Sequence, residues 1–357
     1  MKVLSLFDGI SCGMVALERA GIEVDKYYAS EIDKFAMEIS KKNHPDIIQL
    51  GDVTNWKSWD IDWNNIGLLI GGSPCQGFSF AGKKLNFDDE RSKLFFVYVE
   101  ILNHIKSVNP AVKFLLENVK MKAEWQKIIS EHLGVEPVRI NSSLVSAAKR
   151  DRLYWANFDI KVPDDKGITF DDIMQNTADW LSDEYIDKVS KWKAQQDPIK
   201  NTTFIGTQSK LPCLTARGYN QSHSGMILVS DGSKYRYLTN NEAELAMTLP
   251  IDYTKGVSDR ERARCLGNGW TVDVIAHILK GLKEEEENMA MVCVNGCREC
   301  DGCGECFEGN INLRCPECMA ILSPDERIFR SKRHGILGCE HCLVEEYAED
   351  VKECWEA

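Results

Sequence analysis

Residues 68–80 read LLIGGSPCQGFSF, an apolar run that stops at two glycines before Pro74 and Cys75. A cysteine in an α/β protein is ordinarily a small buried hydrophobe. Cys75 instead follows the strand pattern, and Pro74 stiffens its backbone. An exposed, fixed thiol near helix N-termini and cations can serve as a nucleophile. Two further strand patterns follow, one ending at ENV with Glu117 and the next ending near KRDRLYW, which brings the pair Arg150 and Arg152. Each alone reads as a solvated carboxylate or a surface ion pair. Beside a fixed thiol they suggest covalent chemistry at one sheet edge.

A second group of residues suits a ligand rather than a reaction. FDGISCG, residues 7–13, puts glycines where a backbone can approach a ligand, ahead of a helix N-terminus with free N–H groups. Its spacing is not GxGxxG, so a dinucleotide is not favoured. Glu31 closes the next strand pattern about twenty residues on, where a carboxylate hydrogen-bonds a ribose diol. Asp52, in GDVTNW, closes the third unit and could accept from an adenine amino group. Together the three loops suggest an adenosine-containing cofactor.

The elements that must position these groups alternate. KVLSLF leads to a helix over about Cys12–Ala20, ended by Gly21, and KYYAS to one over about Asp33–Asn43. GLLIGG precedes a helix over about Lys93–Val108, and VKFLLENV one over about Ala123–Leu133. Strands alternating with helices of this length predict an α/β fold, a Rossmann-like, mostly parallel sheet covered on both faces. Ligands then bind beyond the carboxyl ends of the strands.

Thiol, carboxylate and arginines beside an adenosine site resemble the cytosine-C5 DNA methyltransferase family. The likeness runs in order through FDGISCG, Glu31, Asp52, GGSPCQGFS, ENV, RDRLYW and GNGWTVDVIAHIL, over roughly residues 1–283. SAAKRDRLYWAN and YTKGVSDRERARCLGNGW look most like the branch that contains the vertebrate de novo enzymes. Two positions depart: Ala148 stands where many bacterial members carry glutamine, and Lys210 where an arginine is common.

The resemblance implies a class I methyltransferase fold with S-adenosylmethionine as cofactor and double-stranded DNA as partner. It assigns cofactor binding to Phe7, Asp8, Gly9, Ser11, Cys12, Gly13, Glu31, Ile32, Asp52, Val53 and Asn268. It makes Cys75 the nucleophile toward cytosine C6. Glu117, protonated or sharing a proton, is the partner of N3, and Arg150 and Arg152 hold the base carbonyl and the Cys–Glu geometry. The base must leave the duplex, at a cost of a few kcal/mol. The loop QGFSFAGKKLNFDDERSKL, with Gly77, Gly82, Lys83, Lys84 and Arg91, is either a closing element that touches phosphates or an ordinary surface loop.

The implied organisation is a catalytic domain over 1–157, a small target-recognition region over 158–250, a returning segment over 251–283 and a cysteine-rich module over 290–357. In the second, LTARGYNQSHSG offers Arg217, Tyr219, Asn220, Gln221 and His223 to base edges and phosphates. Two rival readings are a tRNA cytosine-C5 methyltransferase and a catalytically silent DNA-binding or scaffold protein.

Composition separates the last module. The chain has 357 residues and a formal charge of −12, but residues from Glu284 onward hold 18 acidic and 7 basic side chains, leaving the rest near −1. Ten of the 14 cysteines lie there. Cys297–Cys300, Cys303–Cys306, Cys315–Cys318 and Cys339–Cys342 are CxxC pairs, although Cys300–Cys303 has the same spacing. Such pairs predict two four-cysteine zinc sites, for which His334 and His341 could substitute, with an iron–sulfur cluster as the alternative. The module reads as a metal-stapled docking or structural unit, with a protein partner as one occupant and with RIFRSKRH able to touch a phosphate or a peptide. MKVLSLFDG turns polar too soon for a signal peptide, and no apolar run approaches the ~20 residues of a membrane span. A cytoplasmic protein of a bacterium or of its virus is the expectation.

Overall fold

KVLSL and IGLLIG are almost wholly apolar, as befits strands with both faces covered. The computed structural model describes residues 1–74, 90–176, 180–194, 202–219 and 226–291, and the backbone of 328–331 and 335–339. In it these runs are β1 (Lys2–Leu6) and β4 (Ile66–Gly71), paired in parallel at the sheet centre. The other strands are β2 (Lys26–Ser30), β3 (Ile48–Gln49), β5 (Lys113–Val119), β6 (Val138–Asn141) and β7 (Asp151–Ala156). Their order is β3-β2-β1-β4-β5-β7-β6. The chain turns from one side of β1 to the other between β2 and β4, which opens a crevice at the carboxyl ends of β1 and β4.

Alternate strand residues feed two cores. Val3, Leu68, Ile70 and Leu115 pack with α1 (Cys12–Ala20) and α8 (Val272–Met291). Leu4, Leu69, Phe114 and Leu116 pack on the other face with α3 (Glu90–Val108) and α4 (Ala123–Leu133). Helix α2 (Lys34–Asn43) starts at Asp33, whose carboxylate accepts from the N–H groups of Phe35 and Ala36.

β7 corrects one reading of the sequence. It was expected to end near KRDRLYW; it begins there, antiparallel to both β5 and β6. A strand running against its neighbours enters where they leave, so its amino end still delivers Arg150 and Arg152 to the carboxyl edge of β5.

Beyond β7 lie α5 (Asp183–Ala194) and a three-stranded sheet of β8 (Thr202–Ile205), β9 (Met226–Ser230) and β10 (Tyr235–Tyr237). Helices α6 (Asn240–Ala246) and α7 (Asp259–Asn268) follow. Arg236 of β10 and Glu242 of α6 form a fully buried ion pair, with 2.8 Å and 2.5 Å hydrogen bonds. The chain divides into two compact units, Met1–Lys283 and Glu284–Ala357. In the second, β11 (Ile328–Ser331) and β12 (Gly335–Cys339) pair antiparallel.

Candidate active site

Glu117 lies in the last turn of pleat of β5, only 8% exposed. The ladder sets Arg152 opposite Val119, hence diagonal to Glu117 on the same face. Glu117 Oε1 is 2.8 Å from Arg152 Nε. This is a charge contact: among the described residues the buried Oε1 accepts no well-directed hydrogen bond. The directed bond comes from elsewhere: the indole N–H of Trp270, just past α7, donates to Oε2 at 3.1 Å.

The neighbouring residue fixes the strand that leads to the thiol. The side-chain amide of buried Asn118 donates to the hydroxyl of Ser73 at 3.1 Å and to its carbonyl at 3.3 Å. The backbone just before Pro74 is thus tied to β5. Cys75 and the loop to Asp89, with Gly77, Gly82, Lys83 and Lys84, lie outside the described residues.

Arg150 is placed differently from Arg152. It is 6% exposed, and its guanidinium donates to the carbonyls of Leu214 at 3.2 Å and Gly267 at 3.1 Å. Burial, and then the charge of Arg152, push its pKa down. It welds the strand edge to the segment LPCLTARG and to α7. Gly267 makes that approach feasible: a Cβ there would sit 2.1 Å from the carbonyl carbon of Thr215. Lys210, one of the departing positions, donates to the carbonyls of Ser143 and Ser146. Ala148 is buried and bridges to Leu211.

The loop after β1 is held by its own strained backbone. Phe7, Gly9 and Ser11 all adopt left-handed conformations, with φ near 60°. Glu31 completes the turn by accepting from three backbone N–H groups, those of Gly9, Ile32 and Asp33, each at 2.8 Å. Asp8 points inward and accepts from Ser11 Oγ at 2.5 Å and Tyr27 Oη at 2.7 Å. Burial raises its pKa to about 6 against those hydrogen bonds. Cys12 is 3% exposed and packs in the core, and burial pushes its thiol up to about 12. Gly13 lies under Trp270 and beside Ile70, where a Cβ would clash. Asp52 accepts from the N–H and hydroxyl of Thr54 at 2.8 Å, Val53 is buried, and Ile32 is 74% exposed. Asn268, the last residue of α7, is exposed beside Gly269, which packs near Cys12 Sγ.

Three functional contacts were not singled out from sequence. Trp270 lay within the quoted GNGW, where a large ring among glycines was the available signal. Asn118 lay within ENV. Arg264 of α7 forms a bidentate pair with Asp33 across 231 residues, and nothing local announces it. Conversely, Tyr219, expected at a base edge, is 1% exposed, and its hydroxyl donates to Asn240 at 2.6 Å. Its ring belongs to the core. Asn220, Gln221 and His223 lie outside the described residues, while Arg217 is exposed.

The sequence profile of C-5 cytosine-specific DNA methylases matches residues 1–130 and 144–284. The chain belongs to that family. This methylase is 30% identical over 315 residues to the Type II methyltransferase M1.ScrFI of Lactococcus lactis subsp. cremoris, covering 79% of this chain and 78% of that one. To the Type II methyltransferase M.NlaX of Neisseria lactamica it is 29% identical over 306 residues, covering 79% and 96%. Its fold matches the S. pombe methyltransferase Dnmt2 with a TM-score of 0.60 at 22% identity, over 80% and 99% of the two chains. Family membership makes the enzyme a DNA (cytosine-5-)-methyltransferase and implies S-adenosylmethionine as its methyl donor. The fold is accordingly the mixed α/β methyltransferase type with a mostly parallel sheet.

No helix among the described residues is long and apolar enough to cross a membrane. Among those residues no group of three or more His, Cys, Asp or Glu is placed to hold a metal. Cys297, Cys300, Cys303, Cys306, Cys315, Cys318 and Cys342 lie outside them, and Cys339 is described only as the backbone end of β12.

Proposed function

We propose that the enzyme acts on a cytosine flipped out of duplex DNA through a covalent Cys75 adduct, with Glu117 meeting the Watson–Crick edge. The observation that carries this is the buried Glu117 between Arg152 and Trp270, next to a strand end tied to Ser73. Cytosine C5 is a poor nucleophile. A bond from the Cys75 sulfur to C6 turns C5 into an enamine-type carbon, while Glu117 shares a proton with N3 to accept the displaced electron density. S-adenosylmethionine, when bound, supplies the electrophilic methyl group that C5 takes. Loss of the C5 proton and expulsion of the Cys75 thiolate restore the ring. Arg152 keeps the Glu117 carboxyl in place, and Arg150 acts through the backbone of Leu214 and Gly267.

The rim of the crevice fits the cofactor. A ribose diol needs a carboxylate of fixed orientation, and Glu31 is fixed by three N–H groups. Exposed Ile32 offers an apolar surface to a purine ring, and Asp52 with buried Val53 lies at the end of the third unit. Phe7, Asp8, Gly9, Ser11, Cys12 and Gly13 form the loop that faces the crevice, with Asn268 at its border.

We assign residues 158–250 to target recognition, 251–283 to a return segment and 290–357 to a zinc module that docks a protein partner. Four CxxC pairs support zinc, and so does the antiparallel hairpin whose second strand ends on Cys339. The Type II relatives support a DNA-modification role. The likeness to Dnmt2, at 22% identity, speaks for the fold alone.

One preparation of the full chain tests both assignments. Labelled methyl transfer to unmethylated duplex DNA and to tRNA is followed by base-resolution mapping, with elemental analysis for zinc and iron. Label at a short recurring DNA motif, lost in Cys75→Ala and lowered roughly 100-fold or more in Glu117→Gln, is the expected result. Label on tRNA alone would replace the substrate, and no label on either would leave a silent binding protein. Two zinc ions per chain are expected; iron would favour the cluster.

A further inference from the structure

We infer that Trp270 is a positioning residue for Glu117, acting through its indole N–H rather than through ring packing alone. The inference rests on the reading of Glu117 as the group that meets the base. A carboxyl group held only by charge can rotate about its last bond and exchange its oxygens without changing its charge. Arg152 supplies charge at 2.8 Å from Oε1, but among the described residues no aligned hydrogen bond reaches that oxygen. The indole N–H supplies direction, at 3.1 Å from Oε2. It thereby breaks the equivalence of the two oxygens.

The surroundings are shaped around this bond. A Cβ on Gly72 would come within 3.0 Å of both Glu117 Oε2 and Trp270 Nε1. One on Gly13 would meet Ile70 and Tyr27 at 2.5 Å and 2.7 Å and lie in ordinary contact, 3.6 Å, with Trp270 Cζ3. Gly72 therefore leaves the slot in which the indole N–H meets Glu117, with Gly13 beside the far edge of the ring. With its ring edge beside Gly13 and its N–H on Oε2, one side chain spans from the loop after β1 to the base-reading carboxyl. A phenyl ring would occupy much of the slot but leave Oε2 without its donor.

The decisive variant keeps the shape and removes the proton donor: 3-benzothienylalanine in place of Trp270, introduced by codon suppression in the full chain. At saturating cofactor and DNA, kcat should fall roughly tenfold, the cost of one directed hydrogen bond to a charged group. Cofactor affinity, measured by calorimetry, should stay within about twofold, since the ring contacts persist. Trp270→Ala, which removes the ring as well, should weaken both. An unchanged kcat in the benzothienyl variant, or cofactor affinity falling in step with it, would overturn the inference. Glu117→Gln with undiminished kcat would instead remove the reading beneath it, a result that separates the two failures.

Discussion

Glu31 and Glu117 are carboxylates at the same edge of one sheet, yet they are held by different kinds of partner. Glu31 is gripped by backbone N–H groups no more than 22 residues away. Glu117 depends on Arg152 from an antiparallel strand and on Trp270, 153 residues distant. Arg150, beside it, reaches across 64 residues to Leu214 and across 117 to Gly267. On the proposed cofactor side, the Glu31 carboxylate is fixed by contacts within the first two strand–helix units. The base side forms only when α7 returns to the sheet. Local assembly suits a site that always binds the same cofactor, whereas assembly from distant segments lets target recognition and chemistry be joined in one packing event.

The sharpest way to break the comparison is Gly267→Ala. A methyl group there would lie 2.1 Å from Thr215 C and 2.2 Å from Ala216 N, both backbone atoms that cannot rotate aside. α7 and the LPCLTARG segment must part, and the two carbonyl contacts of Arg150 part with them. Overpacking of this kind costs about 1–3 kcal/mol or more, and a buried guanidinium without partners adds to it. Activity should fall at least 100-fold. The cofactor side should survive: calorimetric affinity for S-adenosylmethionine in the folded fraction should change far less than kcat. Equal losses would mean that the two sides are one cooperative unit.

The same division explains what could be read from sequence. Helices α1 and α4 end where expected because Gly21 and Gly134 adopt left-handed conformations that stop a helix. The places of Glu31 just past β2 and of Asp52 just past β3 were legible because a strand–loop–helix unit announces its own strand end. The direction of β7 was not legible, since DRLYWA pairs equally well either way, and only the sheet decides. α5 was missed because half of DEYIDKVSKWKA is charged and its apolar stripe is thin. Tyr219 misled because a phenol among polar residues reads as a contact group. Its ring is instead buried, and its hydroxyl satisfied by Asn240.

Arg264 tests one long-range tie on the cofactor side, where the Tyr253 hydroxyl also donates to the carbonyl of Ile10 at 2.8 Å. Its guanidinium binds Asp33, the N-cap of α2, whose own N–H donates to Glu31. The arginine holds the Asp33 carboxyl below the usual carboxylate range. The pair is a quarter to a third exposed, so its worth is about 1 kcal/mol or less. Arg264→Gln should therefore weaken cofactor binding by about three- to fivefold, with kcat at saturation unchanged. Calorimetry alongside kcat measurement checks this. A fall in kcat of the same size would show that α7 transmits strain to the base side through Arg264 as well.

The smallest expected effect belongs to Asp8, and it is a matter of sign. The residue keeps some surface, but its carboxyl turns inward to Ser11 and Tyr27, and burial lifts its pKa from 3.8 to about 6. An acid whose pKa is raised on folding binds more protons in the native state, so its contribution to stability falls as pH rises between those two values. Most of the fall lies between about pH 4 and 6, where it should reach on the order of 1 kcal/mol once the surface that the residue keeps is allowed for. The quantity to follow is the denaturant stability of Asp8→Asn minus that of the unaltered enzyme, measured at several pH values. Asparagine cannot titrate, so the difference should grow as pH rises through 6 and level off above 7. A flat difference would mean that Ser11 and Tyr27 fully offset the burial of the charge. The loop would then owe its fixed shape to hydrogen bonds that favour ionised Asp8, and cofactor binding would tighten rather than stay level as the carboxyl loses its proton.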